Sequence, residues 1–354
     1  MCDNGVAMRS KLILGSAIKL ENDDFKIIDY MGEGANSEVY LAECTRDGSR
    51  HIIKEFNPTP FDLNRESDGT FITDDLVEDE RTKYHYRKSL FLAGAKNQIA
   101  IRSNYQVATN YTLGVYRIYQ AFNTIYVDMP IYQGSAYDQV KEESLYATLL
   151  HVKAIAVAVC GYHKSGFLHL DLKPSNIFVM DNVYDLVYIF DFDSVISKEE
   201  LTNSYISISY SKEWAAPEVL DPENKPKISE ASDIFSIGEI LFYKIFGRNS
   251  SVLERSIFSD YDYEESSLCK GVNPKALYII TSIFHRAICL SVNARMTSCE
   301  ELVKGLDEAI ELCRPGSMYI LPSRVLAKEY FVGRDDIIKM IDYGLQKTRV
   351  VVLH

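Results

Sequence analysis

Between two β-prone runs the chain reads Gly32-Glu33-Gly34-Ala35-Asn36-Ser37-Glu38-Val39. Glycines in such a turn let backbone N–H groups approach phosphate oxygens, because no Cβ stands in the way. The turn lies between strands, whereas a dinucleotide fingerprint would open a helix. On its own it fits a plain hairpin as well. The next apolar run, His51-Ile52-Ile53-Lys54, ends on a lysine whose ammonium could reach phosphates held under the turn. Alone, a strand lysine reads equally as a solvated edge residue. On the helical segment that follows, Glu80 is the acid best placed to hold Lys54, with the neighbouring Glu78 as its competitor.

Further along stand His169-Leu170-Asp171-Leu172-Lys173-Pro174-Ser175-Asn176 and then Asp191-Phe192-Asp193. Coming after a glycine turn and a strand lysine, these stretches resemble the catalytic loop and metal-binding motif of the protein kinase superfamily. Trp214-Ala215-Ala216-Pro217-Glu218 is similar to the end of the kinase activation segment, and Asp233-Ile234-Phe235-Ser236-Ile237-Gly238 to the helix that anchors the catalytic loop. Asn293-Ala294-Arg295-Met296-Thr297 is similar to a late motif whose arginine pairs with the Pro-Glu glutamate, which implies an ion pair between Glu218 and Arg295.

The resemblance implies transfer of the γ-phosphoryl group of ATP, with Mg²⁺, to a protein. In this chemistry the protein mainly positions groups and stabilises charge. Asp171 would accept or orient the proton of the substrate hydroxyl, Lys173 would balance charge on the transferred group, and Lys54, steadied by Glu80, would hold the α- and β-phosphates. Gly32, Glu33, Gly34, Ala35, Asn36 and Ser37 would form the loop over the phosphates. Asn176 and Asp191 carry oxygen donors suited to Mg²⁺, a hard cation that binds through few protein ligands. Val39 and Phe178 would sandwich adenine, Ile52 would lie over it, Met129 would guard the back of the pocket, and residues 130–132, with Ile131 central, would form the hinge. The lysine two places after Asp171, and Ser211 ahead of Glu218, resemble the Ser/Thr class.

Three positions depart from the pattern. Leu170 replaces an arginine that in many kinases binds an activation-loop phosphate, so phosphate control by that route should be absent. Asp193 replaces the glycine of D-F-G, putting a Cβ where backbone freedom is usual. Ile52 replaces a small alanine and should narrow the adenine pocket. These departures leave a pseudokinase, serving as a scaffold or nucleotide-binding module without phosphotransfer, as the rival reading, and a small-molecule kinase of similar fold as a third.

The elements that must position these residues follow from pattern. Phe25 to Tyr30, Val39 to Ala42 and His51 to Phe56 read as an antiparallel meander, with Asp47-Gly48 as a turn. Asp74 to Leu92 carries helical spacing, and Tyr146 to His163, apolar around most of its circumference, reads as a buried helix. Strands first and helices later predict an α+β fold of two lobes, with a cleft between them. The expected division is an extension over residues 1–24, a kinase domain over residues 25–313 with lobes at 25–132 and 133–313, a linker over 314–328, and a further segment over 329–354. That last segment contains Tyr330-Phe331-Val332-Gly333-Arg334-Asp335-Asp336 and ends on Arg349-Val350-Val351-Val352-Leu353-His354. It resembles the entry to an NB-ARC-type P-loop ATPase, without the phosphate loop, and fits a packing extension equally.

Of the 354 residues, 47% are apolar and 25% charged, which is globular rather than disordered composition. A net charge of −12 argues against sequence-independent nucleic-acid binding, which needs clustered Lys and Arg. The seven cysteines are scattered with no C-x-x-C pair, suggesting a reducing, cytoplasmic setting. No continuous apolar run approaches the roughly 20 residues of a membrane helix, and Met1 to Ser10 lacks a secretory core, so no membrane partner is expected.

Overall fold

The computed structural model describes residues 9–315, except residues 22, 60, 62, 105–109, 181–182, 203–207, 222 and 224–226. The segment over 329–354, with its NB-ARC resemblance, therefore lies outside the described residues.

The N-terminal lobe is a six-stranded antiparallel sheet. Its strands are β1 (Ala17–Leu20), β2 (Asp23–Glu33), β3 (Ser37–Cys44), β4 (Arg50–Phe56), β5 (Arg117–Ala121) and β6 (Thr124–Met129). They lie in the order β1-β2-β3-β4-β6-β5. Alternation puts Tyr40, Ala42 and Cys44 on one face of β3, where they join Leu12, Ile18, Phe25 and Ile27 in a closed core. The opposite face packs Phe56, Val127 and Met129 against Tyr84, Phe91 and Ala95 of helix α1 (Glu78–Asn104). Two expectations need correction here. The lobe starts before residue 25, because β1 pairs with β2 and Leu12 and Ile18 are core residues. Helix α1 begins at Glu78 and runs on to Asn104, well past Leu92, since Ala95 and Ile101 continue its buried stripe.

The second lobe is built on helix α2 (Leu145–Lys164), capped by the Ser144 side chain accepting from Ala147 N. Around it lie the short α3 (Pro217–Leu220), α4 (Glu230–Phe246), α5 (Pro274–Ala287) and α6 (Cys299–Cys313). Helix α4 starts with a capping box between Ser229 and Ser232 and ends at Gly247. By length and composition α2 could cross a membrane, contrary to the run-length expectation, because a few spaced polar residues interrupt the run without spoiling the mean hydropathy. Within this fold 72% of that stretch is buried, and α2 is the central helix of the lobe's core. Short strands at the lobe junction carry the catalytic loops. Strand β7 (Ser135–Ala136) pairs with β9 (Ile177–Met180), which pairs with β10 (Val183–Ile189). Strand β8 (Phe167–Leu168) pairs with β11 (Ile196–Ser197).

Candidate active site

Asp233, fully buried in the first turn of α4, fixes the catalytic loop from below. Its Oδ2 accepts from His169 N at 2.9 Å and its Oδ1 from Leu170 N at 2.8 Å, while His163 Nε2 lies 2.8 Å from Oδ2. Burial alone would raise the Asp233 carboxyl, but these hydrogen bonds, that of His163 first, hold it below the usual carboxylate range. The anchored loop keeps Leu170 at φ +63°, a conformation that costs a residue with a Cβ about 1–3 kcal/mol. Its side chain is buried in the helical core.

The anchored loop presents Asp171, which is buried with one oxygen engaged. Oδ2 accepts from Lys173 Nζ at 3.0 Å and from Asn176 Nδ2 at 3.4 Å, whereas Oδ1 has no partner among the described residues. Lys173 Nζ also donates to Ser211 Oγ at 2.8 Å, so the serine singled out in the sequence does meet the catalytic loop. Asn176 Nδ2 is committed to Asp171 O at 3.0 Å, which leaves its Oδ1 as the available donor atom. Phe190 N donates to Asn176 O at 3.0 Å, setting the Asp191 segment beside the loop.

Lys54 Nζ donates to Asp191 Oδ1 at 3.0 Å and to Asp193 Oδ1 at 3.3 Å. Burial would lower the lysine's pKa, but the two carboxylates outweigh it and the ammonium is held charged, above the usual lysine range. Asp191 is lowered by the same contact against its own burial, while burial, aided by repulsion from Asp191, raises Asp193. Asp191 takes φ +65°. Phe192 is buried against Tyr162 and His169, with ring centroids 5.7 and 5.6 Å away.

The expectation for Glu80 fails. It is exposed in the first turn of α1, and the α1 side chain over Lys54 is Phe91, whose ring centroid is 5.0 Å from Nζ. Eleven residues separate the two positions, about 16 Å along a helix axis. Past Glu80, α1 contains no Asp or Glu. The helix instead presses its backbone on the Asp191 segment. A Cβ on Gly94 would stand 2.5 Å from Phe192 O and 2.8 Å from Phe192 C, so only glycine permits this approach. Asn97 Nδ2 donates to Val195 O at 3.0 Å in the same contact.

The glycine turn joins β2 to β3. Gly32 has φ +151°, which L side chains rarely adopt, and Gly34 N closes the turn on Ser37 O at 2.8 Å. Asn36 reaches across the cleft: its Nδ2 donates to Asp193 Oδ2 at 3.4 Å, and its Oδ1 accepts from Arg87 Nη1 at 3.2 Å. Arg9 braces the base of the turn, donating to Gly34 O, Ser37 O and Asn57 O at 2.8–3.1 Å. Glu33 meets the hydroxyl of Tyr30 at 3.0 Å on the outer surface, Ser37 is buried, and Ala35 O accepts from Thr59 N at 3.0 Å. The contacts of Arg9, Arg87 and Asp193 span the chain and leave no local sequence signal. The lack of an acid along α1 after Glu80 was the one available clue.

Around the proposed adenine position, Val39 and Ile52 lie on β3 and β4, Phe178 on β9, and Met129 stands opposite Ile52 in the β4/β6 register. Residues 130–132 connect the lobes, with Ile131 exposed and the Tyr132 hydroxyl accepting from Gly114 N at 2.9 Å. The donor set fits a hard cation. Asp191 and Asn176 offer oxygens, and Asp171 leaves one buried oxygen orphaned beside them. Farther from the cleft, Arg295 and Glu218 form the implied ion pair, with contacts of 2.7 and 2.9 Å.

A family model described as "Protein kinase domain" matches residues 82–303. Myosin light chain kinase 2, skeletal/cardiac muscle, of Mus musculus is 23% identical over 214 residues, 57% of this chain and 33% of that protein. A calcium and calcium/calmodulin-dependent serine/threonine-protein kinase of Lotus japonicus is 28% identical over 161 residues, covering 42% of this chain and 30% of that one. The chain thus spans about a third of the length of these curated relatives. A solved structure titled "PpkA-294 apo form" superposes with a TM-score of 0.62 at 20% identity, covering 85% of this chain and 99% of that one. That likeness is one of fold.

Proposed function

Because this chain belongs to the protein kinase family, we propose that it transfers the γ-phosphoryl group of MgATP to a Ser or Thr hydroxyl of a protein substrate. The observation that carries this reading is Oδ1 of buried Asp171, which has no partner among the described residues, while Lys173 and Asn176 hold the other oxygen in place. A carboxylate with one oxygen fixed and one free can orient a hydroxyl and take its proton. Lys173 would balance charge on the moving group, and its contact with Ser211 ties the segment ahead of Glu218 to the loop. Lys54 would hold the inner phosphates, the turn over Gly32–Asn36 would cover them, and Asp191 with Asn176 Oδ1 would hold Mg²⁺, whose charge would offset that of the phosphates. Ser/Thr preference is supported by Lys173 and Ser211 and by the likeness to the serine/threonine-protein kinase of Lotus japonicus. A cytoplasmic setting is part of the proposal, in keeping with the free thiols of the six described cysteines.

The lack of an α1 carboxylate at Lys54 favours the rival reading, a scaffold without transfer. One experiment separates them. Purified chain is given labelled ATP, Mg²⁺ and Ser- or Thr-containing peptides, alongside Asp171→Asn and Lys54→Met. Transfer by the wild type, and loss of about 10²-fold or more in either variant at unchanged fold, is expected. Equal rates in wild type and variants would sink the assignment.

A further inference from the structure

We propose that Asp193 is the positioning residue for Lys54, taking the place of the helix carboxylate that α1 lacks. The inference rests on the kinase reading of the same cleft. Phosphoryl transfer needs the strand lysine fixed from a second side as well as by the metal-binding aspartate, and protein kinases use an acid on the first long helix for this. Here α1 places Phe91 over Lys54 and carries no acid beyond Glu80. The second carboxylate at Lys54, 3.3 Å away, belongs to Asp193, at the position where glycine is usual.

Both oxygens of Asp193 are engaged. Oδ1 accepts from Lys54, and Oδ2 accepts from Asn36 at 3.4 Å. Arg87 of α1 holds Asn36 in turn at 3.2 Å. An aspartate with both oxygens turned to protein donors is a poor candidate for a further metal ligand and a good one for a fixed charge. The chain Arg87–Asn36–Asp193–Lys54 ties α1, the glycine turn and the metal-binding segment together. In this arrangement the charge facing the lysine comes from the Asp191–Asp193 segment, while α1 touches the lysine through the Phe91 ring and reaches the Asp193 carboxylate through Arg87 and Asn36.

The test is Asp193→Gly, which restores the residue usual in the family, with Asp193→Asn and Asp193→Glu beside it. We expect Asp193→Gly and Asp193→Asn to lower kcat about tenfold or more while the KM for peptide stays unchanged, with Asp193→Glu recovering part of the rate. A role confined to stability would lower the melting temperature and leave kcat per folded molecule unchanged, which overturns the proposal. A metal-ligand role would instead raise the Mg²⁺ concentration for half-maximal rate and spare metal-free binding, and that also overturns it. The second arm needs no transfer: the thermal shift given by ADP in EDTA should fall in Asp193→Gly, and an equal shift overturns the proposal. Wild-type chain that binds ADP without transferring, and loses that shift in Asp193→Gly, would end the kinase reading and leave the positioning role standing. Wild-type chain with neither transfer nor shift would end both.

Discussion

Replacing Arg295 with methionine should be among the most destabilising single changes in the second lobe. The Arg295 side chain is fully buried and that of Glu218 is 4% exposed. The guanidinium donates to both Glu218 oxygens, at 2.7 and 2.9 Å, and to Cys289 O at 2.7 Å, with longer contacts to Leu290 O and Ala231 O. Methionine keeps most of the stem's volume and removes every one of these donors. The carboxylate of Glu218 then stays buried with the Ser232 hydroxyl, 2.7 Å away, as its remaining partner. Removing one member of a buried pair costs about 3–5 kcal/mol, mostly through the charge left behind. At about 2–4 °C per kcal/mol for a large domain, the melting temperature should fall by roughly 10 °C. Urea unfolding followed by circular dichroism gives the free energy directly. The double variant Glu218→Gln/Arg295→Met removes the stranded charge and should recover a substantial part of the loss. A cost under about 1 kcal/mol, the range of an exposed pair, would refute the reasoning. So would a double variant no more stable than the single one.

Gly94→Ala forces a Cβ against Phe192 O at 2.5 Å and should cost about 1–3 kcal/mol in urea while displacing α1 from the Asp191 segment. Unchanged stability and kcat would show that the helix moves away freely. Phosphatase-treated protein should keep its rate on an exogenous peptide, because Leu170 offers no guanidinium and Lys198 is already taken by Glu230 at 2.5 Å and His163 O at 2.9 Å. A tenfold loss, about 1.4 kcal/mol in the barrier, would mean that another cation such as Lys212 serves an activation-segment phosphate. Asp233, with its carboxyl lowered in the folded state, contributes stability that is full above the ordinary aspartate pKa of about 3.9 and is lost as pH falls through the folded value. Asp233→Asn should therefore flatten stability against pH in that acid window, and an unchanged slope would remove Asp233 as its source.

Much of this protein was legible in the chain itself. Strand β3 alternates, α2 is apolar on nearly all sides, and both are local patterns that short-range sterics and burial impose on contiguous residues. The motifs over residues 169–176 and 191–193 were legible for a similar reason, since the chemistry of the family demands fixed residue types at fixed short spacings. Glu218 and Arg295 could be paired because each sits in a motif of its own. What the sequence left undetermined is which side chains meet across the cleft. Glu80 was plausible on helix pattern alone, but packing sets Phe91, eleven residues on, against Lys54. Asp193 read as a departure from glycine, and only the folded chain turns it toward Lys54 and Asn36. Contacts such as Arg9 to Gly34 O or Arg87 to Asn36 join residues whose sequence separation carries no periodic signal. Their partners are selected by how the sheet, α1 and the catalytic loop pack together, and a linear pattern holds no record of that packing.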